Sequence, residues 1–386
     1  VPNIVAFAWP GAAMVDHTII GESSANAWAH RITGTLFLGK FMFIFSMLFG
    51  AGVILYAKKF DDRPGSNSLT TGAGLWYRRC AVLLAFGLIH AYLFWYGDIL
   101  AWYAVAGLTL LWWVRRIPLW AQLTIAAISY LVGFLLLYGF MLFGLWALDN
   151  GHTQQENLMG IPPETEIAAY LGTNEIGRAH GPWVSALAQR AVSTLFMHLL
   201  IGPFYIPAIW GMMILGMVLT RCGILTGQRS RGFYLSWGLA LVPIGLALTL
   251  GTRAALGEGF RASFIWQSMA QGVGIPLGLG YASLVIWASK IDALGIVTRA
   301  LARVGRLALT NYLMQTLLCT TFFYGYGLGY FASVEYPVLW LVVATVWAVN
   351  IVFSALWLRA FRFGPFEWIW RCATYGRLVP IRIKNA

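Results

Sequence analysis

The chain has 386 residues, of which 59% are hydrophobic and only 10% charged, and its formal net charge is +12. A soluble domain carries roughly a quarter charged residues, so this composition, with a mean hydropathy of +0.71, excludes an ordinary soluble protein and puts the chain in a bilayer. The positive charge gathers at alternate segment ends and forms no single basic stripe, which argues against a nucleic-acid partner.

A membrane-crossing helix needs roughly 20 mostly apolar residues. In chain order, residues 1–15 read as the tail of one span, and further spans are expected over 33–57, 77–95, 99–114, 119–147, 192–219, 232–252, 266–288, 307–326 and 337–358. The predicted fold is an all-α integral membrane protein of about ten transmembrane helices, a single domain over 1–386. No charged stretch, apolar run and small-residue cleavage site combine into a signal peptide.

Basic residues mark every second boundary: Lys58, Lys59, Arg63, Arg78 and Arg79, then Arg115 and Arg116, then Arg221, Arg229 and Arg231, and so on to Arg359, Arg362 and Arg371. The intervening connections are poor in Lys and Arg, so the positive-inside rule predicts both termini in the cytoplasm. Cys80, Cys222, Cys319 and Cys372 form no CxxC pair and imply neither a disulfide framework nor a metal site. Two segments stand apart from the spans. Residues 148–190 read as an outer-face loop in which IPPETEIAAYLG starts an amphipathic helix. Residues 361–386, with Trp368 and Trp370, read as an interfacial cytoplasmic segment.

Polar side chains at membrane depth are costly and face the bundle interior. Lys40 either snorkels to the outer headgroups or lines an outward cavity. His90 lies 11 residues beyond Arg79, about 16 Å along a helix, where an imidazole can bond a neighbouring helix or transfer protons. Asp98 follows Gly97 and suits a helix cap; near His90 it would also orient the imidazole. His198 precedes Gly202, Pro203 and Pro207, which are expected to break their helix. Pro276 should kink 266–288. Asn311, Gln315 and Cys319 share one helix face, to glue helices or to line a site. Arg306 suits a phosphate, and Glu367 and Arg371 are spaced to pair with each other.

The stretches LGKFMFIFSMLFGAG, RRCAVLLAFGLIHAYLFWYGDIL, WGMMILGMVL, VGRLALTNYLMQTLLCTTFFYGYGLG and FGPFEWIWRCATYGR together resemble the YeiB-like family of bacterial inner-membrane proteins, domain of unknown function 418. Members begin with an LDxxRG-like stretch ahead of the segment matching Pro2–Ile4; it has no counterpart here. The family carries no settled activity. Its distant similarity to the transmembrane acyltransferases implies a bundle that takes an acyl group, such as acetyl, from cytoplasmic acyl-CoA and passes it to a hydroxyl or amine on the outer side. On that implication His90 and Asp98 are the catalytic pair. Lys40, His198, Asn311 and Gln315 would meet the substrate, and Arg78, Arg79, Arg306 and Arg371 would hold the CoA phosphates. Acyl-CoA is then the co-substrate, no metal takes part, and the partners are membrane lipids, an outer-side acceptor and, in a homo-oligomer, a second copy. A carrier of a small metabolite or lipid, or a non-catalytic membrane scaffold, fits the same polar residues.

Overall fold

The computed structural model describes residues 3–61, 68–109, 111–154, 175–291 and 294–383. The described residues are helical apart from turns and an isolated bridge between Phe361 and Arg382. In chain order the helices are α1 (Ile4–Ala8), α2 (Ser24–Leu36), α3 (Lys40–Asp61), α4 (Ser68–Leu93), α5 (Leu100–Leu108), α6 (Leu111–Val114), α7 (Leu119–Gln154) and α8 (Trp183–Phe196). A π-turn, Met197–Ile201, leads into α9 (Gly202–Arg221), α10 (Arg231–Leu256), α11 (Phe260–Val273), α12 (Ile275–Ser289), α13 (Gly295–Arg306), α14 (Ala308–Phe323), α15 (Tyr336–Ala360) and α16 (Pro365–Tyr375).

Among the described residues six stretches are long and apolar enough to cross a membrane, or seven if the bent pair α11–α12 is one span. The sequence reading expected about ten, and the shortfall has local causes. The segment 99–114 breaks where Thr109 leaves the helical region, dividing α5 from α6. The segment 307–326 yields α14, whose 16 residues extend about 24 Å. The amino-terminal segment gives the five-residue α1 followed by two short 3-10 turns. Pro276 stands in the first turn of α12, where α11 and α12 meet at 49°. The helix before α9 departs from the expectation: Pro203 sits in the first turn of a continuous α9, Pro207 lies inside it, and the irregularity is the π-turn upstream. The amphipathic helix expected near 161–172 lies outside the described residues.

The outward side chains are those of a lipid-facing surface. Leu131, Leu135 and Phe143 on α7, Leu239 and Leu250 on α10, and Leu341, Trp347 and Val352 on α15 are all exposed. Inside, α9 packs along α7 and α3. The α3–α9 crossing depends on small residues, because apolar helices in lipid gain stability from close packing. A Cβ on Gly50 would collide with the Met213 carbonyl, and one on Gly216 with that of Met47.

One end of the bundle carries Arg221, Lys290 and Arg306. Arg221 Nη1 donates to Ile117 O at 2.9 Å, Lys290 Nζ to Arg229 O at 3.0 Å, and Arg306 Nη2 to Arg362 O at 3.3 Å. The opposite end holds the start of α3, the carboxyl ends of α4 and α10, and the start of α15. Replacing Gly50 with Leu should therefore separate α3 from α9 at a cost of about 3 kcal/mol. Size-exclusion chromatography after detergent extraction checks this; the variant should lose most of its monodisperse peak, while Gly52→Leu, at a glycine with open space around its Cα, should keep it.

Candidate functional site

The helix α4 carries His90 three residues before its end, and the turn Phe94–Ile99 reverses the chain into α5. The reversal is tight because α5 starts directly against α4. A Cβ on Gly87 would strike the backbone of Ala101, and Gly87 stands one turn before His90. Asp98 is thereby folded back over the imidazole: His90 Nδ1 lies 2.7 Å from Asp98 Oδ2. The eight-residue spacing on a straight helix would have separated them by about 12 Å.

Both readings of Asp98 are realised at once. Its Oδ1 accepts from the Ala101 amide at 2.7 Å, capping α5, while Oδ2 takes His90 and, at 3.3 Å, the Tyr312 hydroxyl. Tyr312 accepts in turn from the Ile99 amide at 3.3 Å. The other ring nitrogen, His90 Nε2, is 2.9 Å from Thr316 Oγ1. Against an ionised carboxylate, which only accepts, the ring donates from Nδ1, and a neutral ring then takes the Thr316 hydroxyl proton at Nε2. The result is a chain of bonds, Asp98–His90–Thr316, in the order found in hydroxyl-activating triads. Trp95 and Tyr312 wall the ring at 6.4 Å and 5.1 Å between centroids, and Phe7 stacks on Trp95 at 4.1 Å.

The imidazole is 2% exposed and Asp98 3%, so the ring is enclosed by polar partners and is not solvated. Proton transfer to a bound acceptor requires a reachable ring; at rest this one is closed, with both nitrogens engaged.

The other expected site residues divide. Asn311 turns away from the dyad and donates to Val304 O at 3.0 Å and Ser354 Oγ at 2.9 Å, tying α14 to α15. Gln315, one residue before Thr316, is rotated about 100° from it around α14. His198 lies on the π-turn, with Nδ1 2.9 Å from Thr194 O and its ring tilted on Trp102 at 5.5 Å; no hydrogen bond joins it to His90 among the described residues. Lys40 does not snorkel: it is fully buried at the first position of α3. The residues missed by the sequence reading are Tyr312 and Thr316, spaced i, i+4 on α14. Their face looked less polar than that of Asn311 and Gln315.

At the basic end, Arg79 stacks on Trp370 at 3.7 Å, and its carbonyl accepts from Trp370 Nε1 at 2.9 Å. Arg78 lies against Gly376 at the end of α16. Arg371 does not pair with Glu367 as expected; its guanidinium covers Phe363 at 4.3 Å. Glu367 instead accepts from the Thr310 amide at 3.0 Å and hydroxyl at 2.5 Å, capping α14. Arg306, Arg362, Phe363 and Ile383 line an open groove beside them. No group of three or more His, Cys, Asp or Glu among the described residues has the geometry to hold a metal.

The fold and this site define a polytopic helical membrane protein with an acid–base pair enclosed between three helices. The family described as "Protein of unknown function (DUF418)" matches residues 219–377. The chain is 34% identical to the uncharacterized protein YeiB of Escherichia coli (strain K12), over 100% of this chain and 94% of that protein. It is 31% identical to the uncharacterized protein YxaH of Bacillus subtilis (strain 168), over 90% of this chain and 82% of that one. The chain belongs to this YeiB-like DUF418 family. No solved structure matches it significantly.

Beside the Trp95–Asp98 turn, a cavity of about 10 Å³ is lined by Tyr96, Glu175, Arg190 and Tyr324, with room for about one water. Burial pushes the Glu175 carboxyl above its usual range, against the Gly11 amide that donates to it at 3.0 Å. A carboxyl whose pKa is raised by folding binds its proton more tightly in the folded state, so its ionisation costs stability as pH rises above the unfolded carboxylate value of about 4.3. Glu175→Gln should therefore raise the thermal midpoint at pH 7–8, with the gain fading toward pH 4. Melting curves across that range check the prediction; a pH-independent effect would contradict it.

Proposed function

We propose that this protein is a membrane-embedded acyltransferase in which the Asp98–His90 pair takes a proton from an acceptor hydroxyl or amine while an acyl-CoA thioester is attacked. The single observation that carries the reading is the Asp98–His90–Thr316 chain, with 2.7 Å and 2.9 Å links inside the membrane bundle. Asp98 holds the ring with its proton on Nδ1, leaving Nε2 to act as the base. Thr316 occupies the position of an acceptor hydroxyl, and the acceptor displaces it on binding.

The step balances. The acceptor oxygen bonds to the thioester carbonyl carbon as its proton passes to His90 Nε2. The tetrahedral intermediate then expels CoA sulfur, which recovers that proton to give acyl ester and free thiol. The groove of Arg306, Arg362 and Phe363, with Arg371 over Phe363, supports the reading because guanidinium groups suit the donor phosphates. The placement at the bundle's basic end also fits a cytoplasmic donor.

The enclosure of His90 favours a second reading, a non-catalytic membrane protein in which the same bonds only fasten α4, α5 and α14. Radiolabelled acetyl-CoA supplied to membranes containing the protein separates the two. The acyltransferase reading predicts transfer of label to membrane or envelope material. His90→Ala should lower the rate by roughly 10³-fold, and Asp98→Asn should lower it comparably, with both variants still extracted as folded protein. Equal labelling by wild type and His90→Ala, or His90→Ala that fails to fold while wild type transfers nothing, would favour the fastening role.

A further inference from the structure

We propose that Lys40, Arg253 and Trp266 form a binding site for a phosphoryl group at the end of the bundle opposite the basic face. The proposal stands independently of the chemistry at His90.

Three nitrogen donors surround Gly34 of α2, Lys40 at its carbonyl and Arg253 and Trp266 at its Cα. Lys40 Nζ lies 3.5 Å from the Gly34 carbonyl. A Cβ on Gly34 would lie 2.9 Å from Arg253 Nη1 and 3.4 Å from Trp266 Nε1. The two cations also share the Trp266 ring, with Lys40 Nζ 5.9 Å and the Arg253 guanidinium carbon 5.4 Å from its centroid. Each donor comes from a different helix, α3, α10 and α11, and glycine at position 34 lets the Arg253 guanidinium lie directly against the α2 backbone.

These donors have almost nothing to donate to. Lys40 is 0% exposed and has one long hydrogen bond. Trp266 is 3% exposed, and its indole N–H has no partner. Arg253 Nη1 reaches the Arg31 carbonyl at 3.4 Å. Among the described residues no carboxylate lies within ion-pair distance of Lys40 or Arg253; Glu258 is taken by Arg31. A buried ammonium without a counter-charge is strongly disfavoured. Two cations gathered about the Trp266 ring, with its orphan indole N–H, supply the donors that an oxyanion requires. The donors approach from three directions, which suits the several oxygens of a phosphoryl group. Arg253 is half-buried and lies beside the exposed Arg31–Glu258 pair.

The phosphoryl group belongs to a soluble phosphate compound or to a phospholipid headgroup, and the test separates them. Wild type and Lys40→Met are purified in neutral detergent and melted in sodium phosphate and in sodium chloride of equal ionic strength. A soluble ligand predicts that phosphate raises the wild-type midpoint by about 3 °C or more and leaves the variant unmoved. A headgroup ligand predicts no such rise but about one more retained phospholipid phosphorus per wild-type chain than per variant chain after detergent exchange. In chloride, Lys40→Met should melt no lower than wild type, because removing an uncompensated buried charge is neutral or stabilising; a lysine kept only for structure would make the variant melt lower. If Lys40→Met does not fold, Arg253→Gln repeats both comparisons. Wild type that gains nothing from phosphate and retains no lipid phosphorus overturns the proposal.

Discussion

Asp98 is a carboxylate placed where water is scarce, and the bundle around it is arranged to satisfy it. In hydrocarbon each unanswered polar group costs several kcal/mol. Asp98 meets this with three donors from three helices: the His90 ring on α4, the Ala101 amide on α5 and the Tyr312 hydroxyl on α14. Those bonds fix how the three helices sit against one another. They also set the ring orientation, and through it the direction in which His90 Nε2 points. The close approach at Gly87 makes this possible, since a side chain there would push α5 away and carry Asp98 with it. Structure and potential chemistry therefore rest on the same contacts.

The two ends of the molecule treat charge differently. At the basic end the guanidinium groups have partners: Arg79 lies on Trp370, Arg371 on Phe363, and Arg221 on a backbone carbonyl. At the opposite end Lys40 and Arg253 flank the Trp266 ring, and among the described residues no carboxylate pairs with either. Arg190 is a milder case, with one nitrogen on the Phe94 carbonyl and two more unanswered beside the small cavity.

The sequence disclosed the membrane class and the long helices, because a run of apolar residues the length of a bilayer has few other meanings. It disclosed less where a span is broken. Nothing in the apolar run 99–114 marks Thr109 as a break, and the turn at Phe37–Gly39 that makes Lys40 the first residue of α3 falls within a hydrophobic stretch. That turn, with α11 laid over it, is why Lys40 is buried and cannot reach the headgroups. His90 and Asp98 could be named together because one short turn separates them. Thr316 could not, since its meeting with His90 crosses 226 positions. Asn311 was placed to glue helices or to line a site, and its bond to Ser354 realises the first. The i, i+4 pair of hydroxyls at Tyr312 and Thr316 was the available signal, and a threonine hydroxyl in a helix ordinarily satisfies itself on its own backbone.

The central claim is that Asp98 holds the His90 ring in the tautomer that leaves Nε2 as an acceptor. Nitrogen-15 NMR of the histidine-labelled protein in detergent, with the His90 signals assigned by their loss in His90→Gln, reads this directly. The account predicts a neutral ring protonated on Nδ1, with that proton in a strong hydrogen bond that weakens in Asp98→Asn. A ring protonated on Nε2 alone, or one whose signals are indifferent to Asp98→Asn, would contradict it.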